Sequence, residues 1–157
     1  MEGFDNIIYT EVPAPEPDCT GVPVLLTDET MAERYQKVLD RMAGDHIDTL
    51  VIYGDLEHGS NFEYLTGFLP RFEEALLVVH RDGRNFMVMG NENLNKVPFA
   101  RLKAVPVHAP YFSLPNQPMG NDKDMAGLFA EAGIEPGMTV GVAGWKMCTS
   151  QLEDKSQ

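Results

Sequence analysis

The densest group of side chains able to do chemistry is Asp55, Glu57, His58, Ser60 and Asn61, gathered in one short stretch. Carboxylates and imidazole are ligands for first-row metals, so the stretch offers part of a metal site. A single loop rarely closes a coordination sphere, and His80 and His108 lie at the ends of other expected strands. The spacing therefore favours a polar loop in which Asp55 or Asn61 caps a short helical turn. A second group is Pro70-Arg71-Phe72-Glu73-Glu74. Paired carboxylates perform acid/base work, but neighbours on an extended segment point to opposite sides, which argues against Glu73 and Glu74 as a catalytic pair. Arg71, a guanidinium between aromatics, suits a carboxylate partner. It suits pairing with a neighbouring Glu equally well.

Other catalytic patterns are missing. Gly141-Val142-Ala143-Gly144 lacks the third glycine of a dinucleotide-binding turn. The sequence contains no phosphate-binding GxxxxGK[ST] and no nucleophile elbow GxSxG. Met87, Met89, Met125 and Met138 are expected as core filler. Neither a catalytic residue nor a metal ligand is expected in this chain.

These residues need a scaffold, and 157 residues suffice for one domain; a chain of that size buries roughly two-thirds of its unfolded surface. The hydrophobic fraction is 43% and the charged fraction 23%, ordinary for a globular protein. The net charge of −12 opposes contact with nucleic acid and with anionic membranes, so neither is expected as a partner. Cys19 and Cys148 stand apart with no CxxC spacing, which suits a reduced, cytoplasmic protein. The N-terminus has no basic region followed by an apolar run, and Ala75 to Val79 is far too short to cross a bilayer.

Residues 1–27 form an arm whose Pro13, Pro15, Pro17 and Pro23 favour an extended path. Thr30 to Glu33 matches a capping box, after which Met31, Tyr35, Val38, Leu39 and Met42 make one apolar helical stripe that Gly44 should end. Leu50 to Tyr53 and Ala75 to Val79 read as strands buried on both faces. Asp82-Gly83 predicts a two-residue hairpin into a strand from Phe86 to Met89. Asn91 or Asn93 should cap a short helix ending near Pro98, and Pro106 confines the strand Ala104 to Val107 to an edge. A loop with three prolines runs from His108 to Met119. A helix then runs from about Asp122 to Gly133, and a last strand covers Met138 to Val142. The one antiparallel hairpin implies a mixed sheet with helices on its faces.

The run Asn61-Phe62-Glu63-Tyr64-Leu65-Thr66-Gly67-Phe68, followed by Glu74-Ala75-Leu76-Leu77-Val78-Val79, resembles the N-terminal domain of the Xaa-Pro peptidase family. That family includes aminopeptidase P, prolidase and creatinase. The arginine-containing helix before the first strand, the Asp-Gly hairpin and the closing Gly-Val-Ala-Gly strand agree, so the resemblance spans about Thr30 to Trp145.

The resemblance implies a three-layer α/β domain with a mixed, mainly parallel sheet of about five or six strands flanked by helices. It divides the chain into the arm at 1–27, the domain at 28–145 and a polar tail at 146–157 that leads toward an absent catalytic domain. In the family, a larger domain binds two divalent metal ions, and no ligand of that set carries over to a position here. The implied role is a non-catalytic one: oligomerisation, and closing or shaping the active site of a neighbouring subunit. The implied partners are further copies of the chain and its own catalytic domain. In creatinase-like members the loop after the aromatic turn gives an aromatic residue and an Arg to the substrate. The matching residues are Arg71 and Phe72, although Pro70-Arg71-Phe72-Glu73-Glu74 is neither the common prolidase loop nor the creatinase loop. A free-standing binding module descended from this domain is the alternative.

Overall fold

A computed structural model describes residues 8, 10–15, 21, 26–120 and 122–144. The extended arm expected before residue 26 and the tail beyond residue 144 fall mostly or wholly outside the described residues. Helix α1 (Asp28–Gly44) is followed by β1 (Thr49–Gly54), α2 (Ser60–Thr66), β2 (Ala75–His80) and β3 (Asn85–Met89). A 3₁₀ turn (Leu94–Phe99), β4 (Val105–His108), a second 3₁₀ turn (Pro110–Phe112), α3 (Met125–Glu131) and β5 (Val140–Ala143) complete the order.

The strands form one sheet in the order β4-β3-β2-β1-β5. Strand β1 is parallel to β5 and β3 to β4, whereas β2 is antiparallel to both its neighbours, so only β2 opposes the common direction. The sheet is mixed as expected, and mainly parallel in strand direction. The reason lies in the β1–β2 connection. Gly54 pairs with Ala75, so residues 55–74 leave and re-enter at one end of the sheet instead of crossing its face.

Alternation along the strands builds two cores, which gives three layers. Ile52, Leu77, Val79, Met87 and Met89 pack with Met42 of α1 and Phe62 and Leu65 of α2. On the opposite face Val51, Leu76, Val78 and Val88 pack with Met125 and Leu128 of α3. Both runs read as doubly buried strands are central: β2 is buried at every position, and β1 has a half-buried residue only at Leu50. Pro106 lies on edge strand β4, where its missing N–H costs no ladder bond on the solvent side.

Several element ends differ from the sequence expectation. Helix α1 starts earlier because Thr27, not Thr30, caps it by accepting the Thr30 N–H, and Glu33 pairs instead with Lys37. Its end is marked by His46 at φ 58, so the left-handed position falls two residues past Gly44. The β2–β3 turn is longer than two residues: His80 N–H donates to Arg84 O, and Gly83 takes the left-handed place beside a turn through Arg81 and Asp82. Helix α3 begins at Met125 because Asp124 accepts the Gly127 N–H at 2.7 Å. Strand β5 begins only at Val140 because the backbone of Thr139 is already engaged by Asp48 and Thr49.

Candidate functional site

The C-terminal ends of β1, β3, β4 and β5 all lie at the end of the sheet that carries the 55–74 connection. Ligands of open α/β sheets gather at that end, where loops project from rigid strands. The connection begins with the expected polar loop. Asp55 is buried, accepts the Tyr53 hydroxyl at 2.7 Å, and accepts the backbone N–H groups of Glu57 and His58 at 2.9 and 2.6 Å. Burial pushes its carboxyl up, but the hydrogen bonds from Tyr53 and His58 outweigh that and hold it below the usual carboxylate range. Asp55 thus caps the turn at Glu57 and His58. It does not cap α2, whose N-cap is Gly59 without a side-chain bond, and Asn61 lies inside that helix. His58 Nδ1 sits 3.1 Å from Asp55 Oδ1. His80 lies far along the sheet at the other end of β2, between Thr49 Oγ1 at 2.9 Å and Ala132 O at 2.7 Å, so it does not converge with His58. His108 ends edge strand β4, where its Nε2 lies 2.7 Å from Asn91 Oδ1. Among the described residues, no group of three or more His, Cys, Asp or Glu is placed to hold a metal ion.

The aromatic motif forms α2 rather than a simple turn. Phe62 and Leu65 bury into the sheet, Gly67 ends the helix at φ 78, and Phe62 and Phe68 meet edge to face at 5.6 Å. Thr66 ties the end down through its hydroxyl, which donates to Phe62 O at 2.9 Å. On the outer side Arg34 of α1 stacks 4.5 Å from the Tyr64 ring centroid.

Beyond α2 the chain reaches Arg71 and Phe72, both exposed, with Phe72 62% exposed. The Arg71 guanidinium lies over the Phe72 ring, 4.8 Å from its centroid. Phe72 has φ 74, a left-handed conformation that an aromatic side chain adopts only under constraint. The constraint comes from the residues on either side. Asn93 Nδ2 donates to Arg71 O at 2.8 Å, while the Glu73 carboxylate accepts the N–H groups of Glu92 and Asn93 at 3.1 and 2.9 Å. Gly90 makes this possible, because a Cβ there would collide with Glu73 Oε2 and with Ser113 N.

Glu73 therefore serves the loop's geometry, and this is a role the sequence pattern did not signal. It is buried, and burial, then the hydrogen bond to the Glu92 carboxyl, push its own carboxyl up to about 7. Asn93, expected as a helix cap, makes no side-chain cap bond and spends its side chain on Arg71 O and Lys96 instead. Between the two halves of the connection lies an open cleft of about 260 Å³, lined by Asp55, Leu56, Glu57, Phe72, Glu73 and Glu74.

The sequence profile of the creatinase/prolidase N-terminal domain matches residues 34–153. The chain belongs to that family. Solved structures similar to this creatinase/prolidase N-terminal domain include the aminopeptidase P (Xaa-Pro aminopeptidase) of Streptococcus thermophilus. That likeness has 14% identity and a TM-score of 0.44, covering 73% of this chain and 92% of that one. The creatinase/prolidase-like N-terminal domain of a protein described as a metallopeptidase from Corynebacterium diphtheriae gives 14% identity, a TM-score of 0.44, and coverage of 73% and 95%. The dipeptidase PepE of Mycobacterium ulcerans gives 15% identity and a TM-score of 0.43, with 73% of this chain matched to 34% of that one. No curated protein matches the chain. Among the described residues no helix is long and apolar enough to cross a membrane.

Proposed function

We propose that this domain is the non-catalytic N-terminal part of a metal-dependent Xaa-Pro peptidase, of the aminopeptidase P or prolidase kind, or of a creatinase-like hydrolase. Family membership supports the parent class. In this role the domain helps assemble the oligomer and closes the active site of a neighbouring subunit in the cytoplasm. The pair of divalent ions belongs to the catalytic domain, and no step is assigned to a residue here through them. Arg71 meets the carboxylate of a substrate, or an acidic group on the neighbouring catalytic domain, through paired N–H bonds. Phe72 supplies an apolar wall beside it.

One observation carries this reading: Phe72 is held exposed at φ 74 between the hydrogen-bonded Arg71 carbonyl and the buried, hydrogen-bonded Glu73 carboxylate. A side chain with no contact to make would not need so constrained a placement. The test has two parts. The purified chain, supplied with manganese, zinc or cobalt, is expected to hydrolyse no Xaa-Pro peptide, because activating water needs an ion in an open coordination site. Metal-dependent turnover that stays with the chain through successive columns would overturn the assignment. In the parent enzyme, Arg71→Ala is expected to lower kcat/KM, and unchanged kinetics would remove Arg71 from the site.

A further inference from the structure

Glu73 and Glu92 form a carboxyl pair behind the loop that carries Arg71 and Phe72. Glu73 is 5% exposed and Glu92 half-buried, and a hydrogen bond joins the two carboxyls. Such a bond needs a proton on one of them, since an ionised carboxylate only accepts and two of them repel. Among the described residues no Lys, Arg or His forms an ion pair with either carboxyl.

The other charged groups around the pair do not replace that proton. Lys96, on the first 3₁₀ turn, gives its Nζ to Asn93 Oδ1 at 2.6 Å. The Arg71 guanidinium lies over Phe72. Asp55, Glu57 and Glu74 share the cleft with Glu73 and add only negative charge, while His58 sits on Asp55. His108 of β4 meets Asn91, and the loop beyond it brings the uncharged Ser113 to the Asn91 N–H.

The same carboxyl fastens a strained hinge. Glu73 Oε1 accepts the Asn93 N–H and Oε2 the Glu92 N–H, which clips residues 71–74 to the turn after β3. Gly90 leaves room for the clip, because a Cβ there would collide with Glu73 Oε2. Next to it Phe72 is held at φ 74, a strain that relaxes once the clip lets go. The loop therefore has two arrangements: clipped with the proton, or released with Glu73 in water.

We propose that Glu73 and Glu92 share one proton that latches the 71–74 loop to the 90–93 turn, and that its loss to water releases Arg71 and Phe72 from their fixed placement. The contact assigned to these two residues is thereby proton-dependent, presented while the pair holds the proton and withdrawn when it does not. That consequence rests on the function proposed above. The latch itself does not, and it is tested without any activity.

In the released loop Glu73 ionises at its ordinary 4.5, and in the latched form only at about 7. Release becomes more frequent by up to about tenfold per pH unit between those values, then levels off. Amide hydrogen exchange of the unaltered chain, read by NMR and corrected for the intrinsic rate at each pH, follows this directly. The Glu92 and Asn93 N–H groups are expected to lose protection from about pH 5 to about pH 7. They should stay less protected throughout than the N–H of Leu77 in β2. Glu73→Gln keeps acceptor and donor without titrating, and is expected to hold that protection flat. Trypsin at mildly alkaline pH should cut the Arg71–Phe72 bond severalfold faster in the unaltered chain than in Glu73→Gln. Protection that does not change with pH in the unaltered chain would overturn the proposal, whether or not the variant folds. So would protection equal to that of Leu77, because these groups would then open only when the whole domain unfolds. Equal cutting of the two folded proteins would overturn it as well, by showing that Arg71 and Phe72 stay fixed.

Discussion

The Glu73 carboxylate accepts the backbone N–H of Asn93 at 2.9 Å, joining the loop before β2 to the turn after β3. Asn93 returns the contact by donating from its side chain to Arg71 O at 2.8 Å. Arg71 and Phe72 are carried between these bonds. Their exposure is therefore held by hydrogen bonds on either side and does not come from slack in the loop. Glu73→Ala is expected to leave the N–H groups of Glu92 and Asn93 unpaired, at a cost of about 1–3 kcal/mol. Urea unfolding measures it, and a loss below about 0.5 kcal/mol, the scale of ordinary surface changes, would show that the clamp is weak.

Glu73 also gives stability a pH dependence. Its carboxyl is raised from 4.5 to about 7, so the folded protein keeps a proton that the unfolded chain has lost. The folded state binds more protons between those values, and stability must fall as pH rises through that window. The slope contributed by this one group is at most about 1.4 kcal/mol per pH unit. Asp55 acts with the opposite sign: its lowered carboxyl gives stability that is lost as pH falls below 3.8 and through its folded value. Urea midpoints measured between about pH 5 and about pH 7 should decline for the unaltered chain and flatten for Glu73→Gln. Equal slopes in the two proteins would assign the titration to another group.

The central strands carry the core. Leu77 is fully buried and Ile52 is 3% exposed. Leu77→Ala and Ile52→Ala are each expected to cost about 2–5 kcal/mol in chemical denaturation. Losses under about 0.5 kcal/mol at both positions would contradict their placement in the core.

At the proposed contact, stability and function should separate. Arg71→Ala is expected to change stability by no more than about 0.5 kcal/mol, as at a surface position. Phe72→Gly relieves the left-handed backbone and is expected to stabilise the domain by up to about 1 kcal/mol. In the parent enzyme both changes should raise KM or lower kcat/KM. If Arg71→Ala unfolds the domain while the parent's kinetics per folded molecule stay normal, Arg71 is structural.

The sequence by itself determined the class of the fold, its two central strands and the family. Those features are written in local patterns: unbroken apolar runs at Leu50 to Tyr53 and Ala75 to Val79, helical stripes, and the motif that became α2 and Gly67. Burial on both faces of a strand and helical periodicity leave marks within a few residues of each other. Tertiary structure alone decided the rest. Glu73 and Glu74 are adjacent acidic residues in the sequence, yet Glu73 is buried as the acceptor for a turn about twenty residues on, and Glu74 lines an open cleft. Likewise Asn93, a plausible cap by position, serves Arg71 instead. Such roles depend on which loops the strand order β4-β3-β2-β1-β5 brings to one end of the sheet. Hydrogen bonds between residues distant along the chain have no period and no spacing, so only the folded backbone sets them.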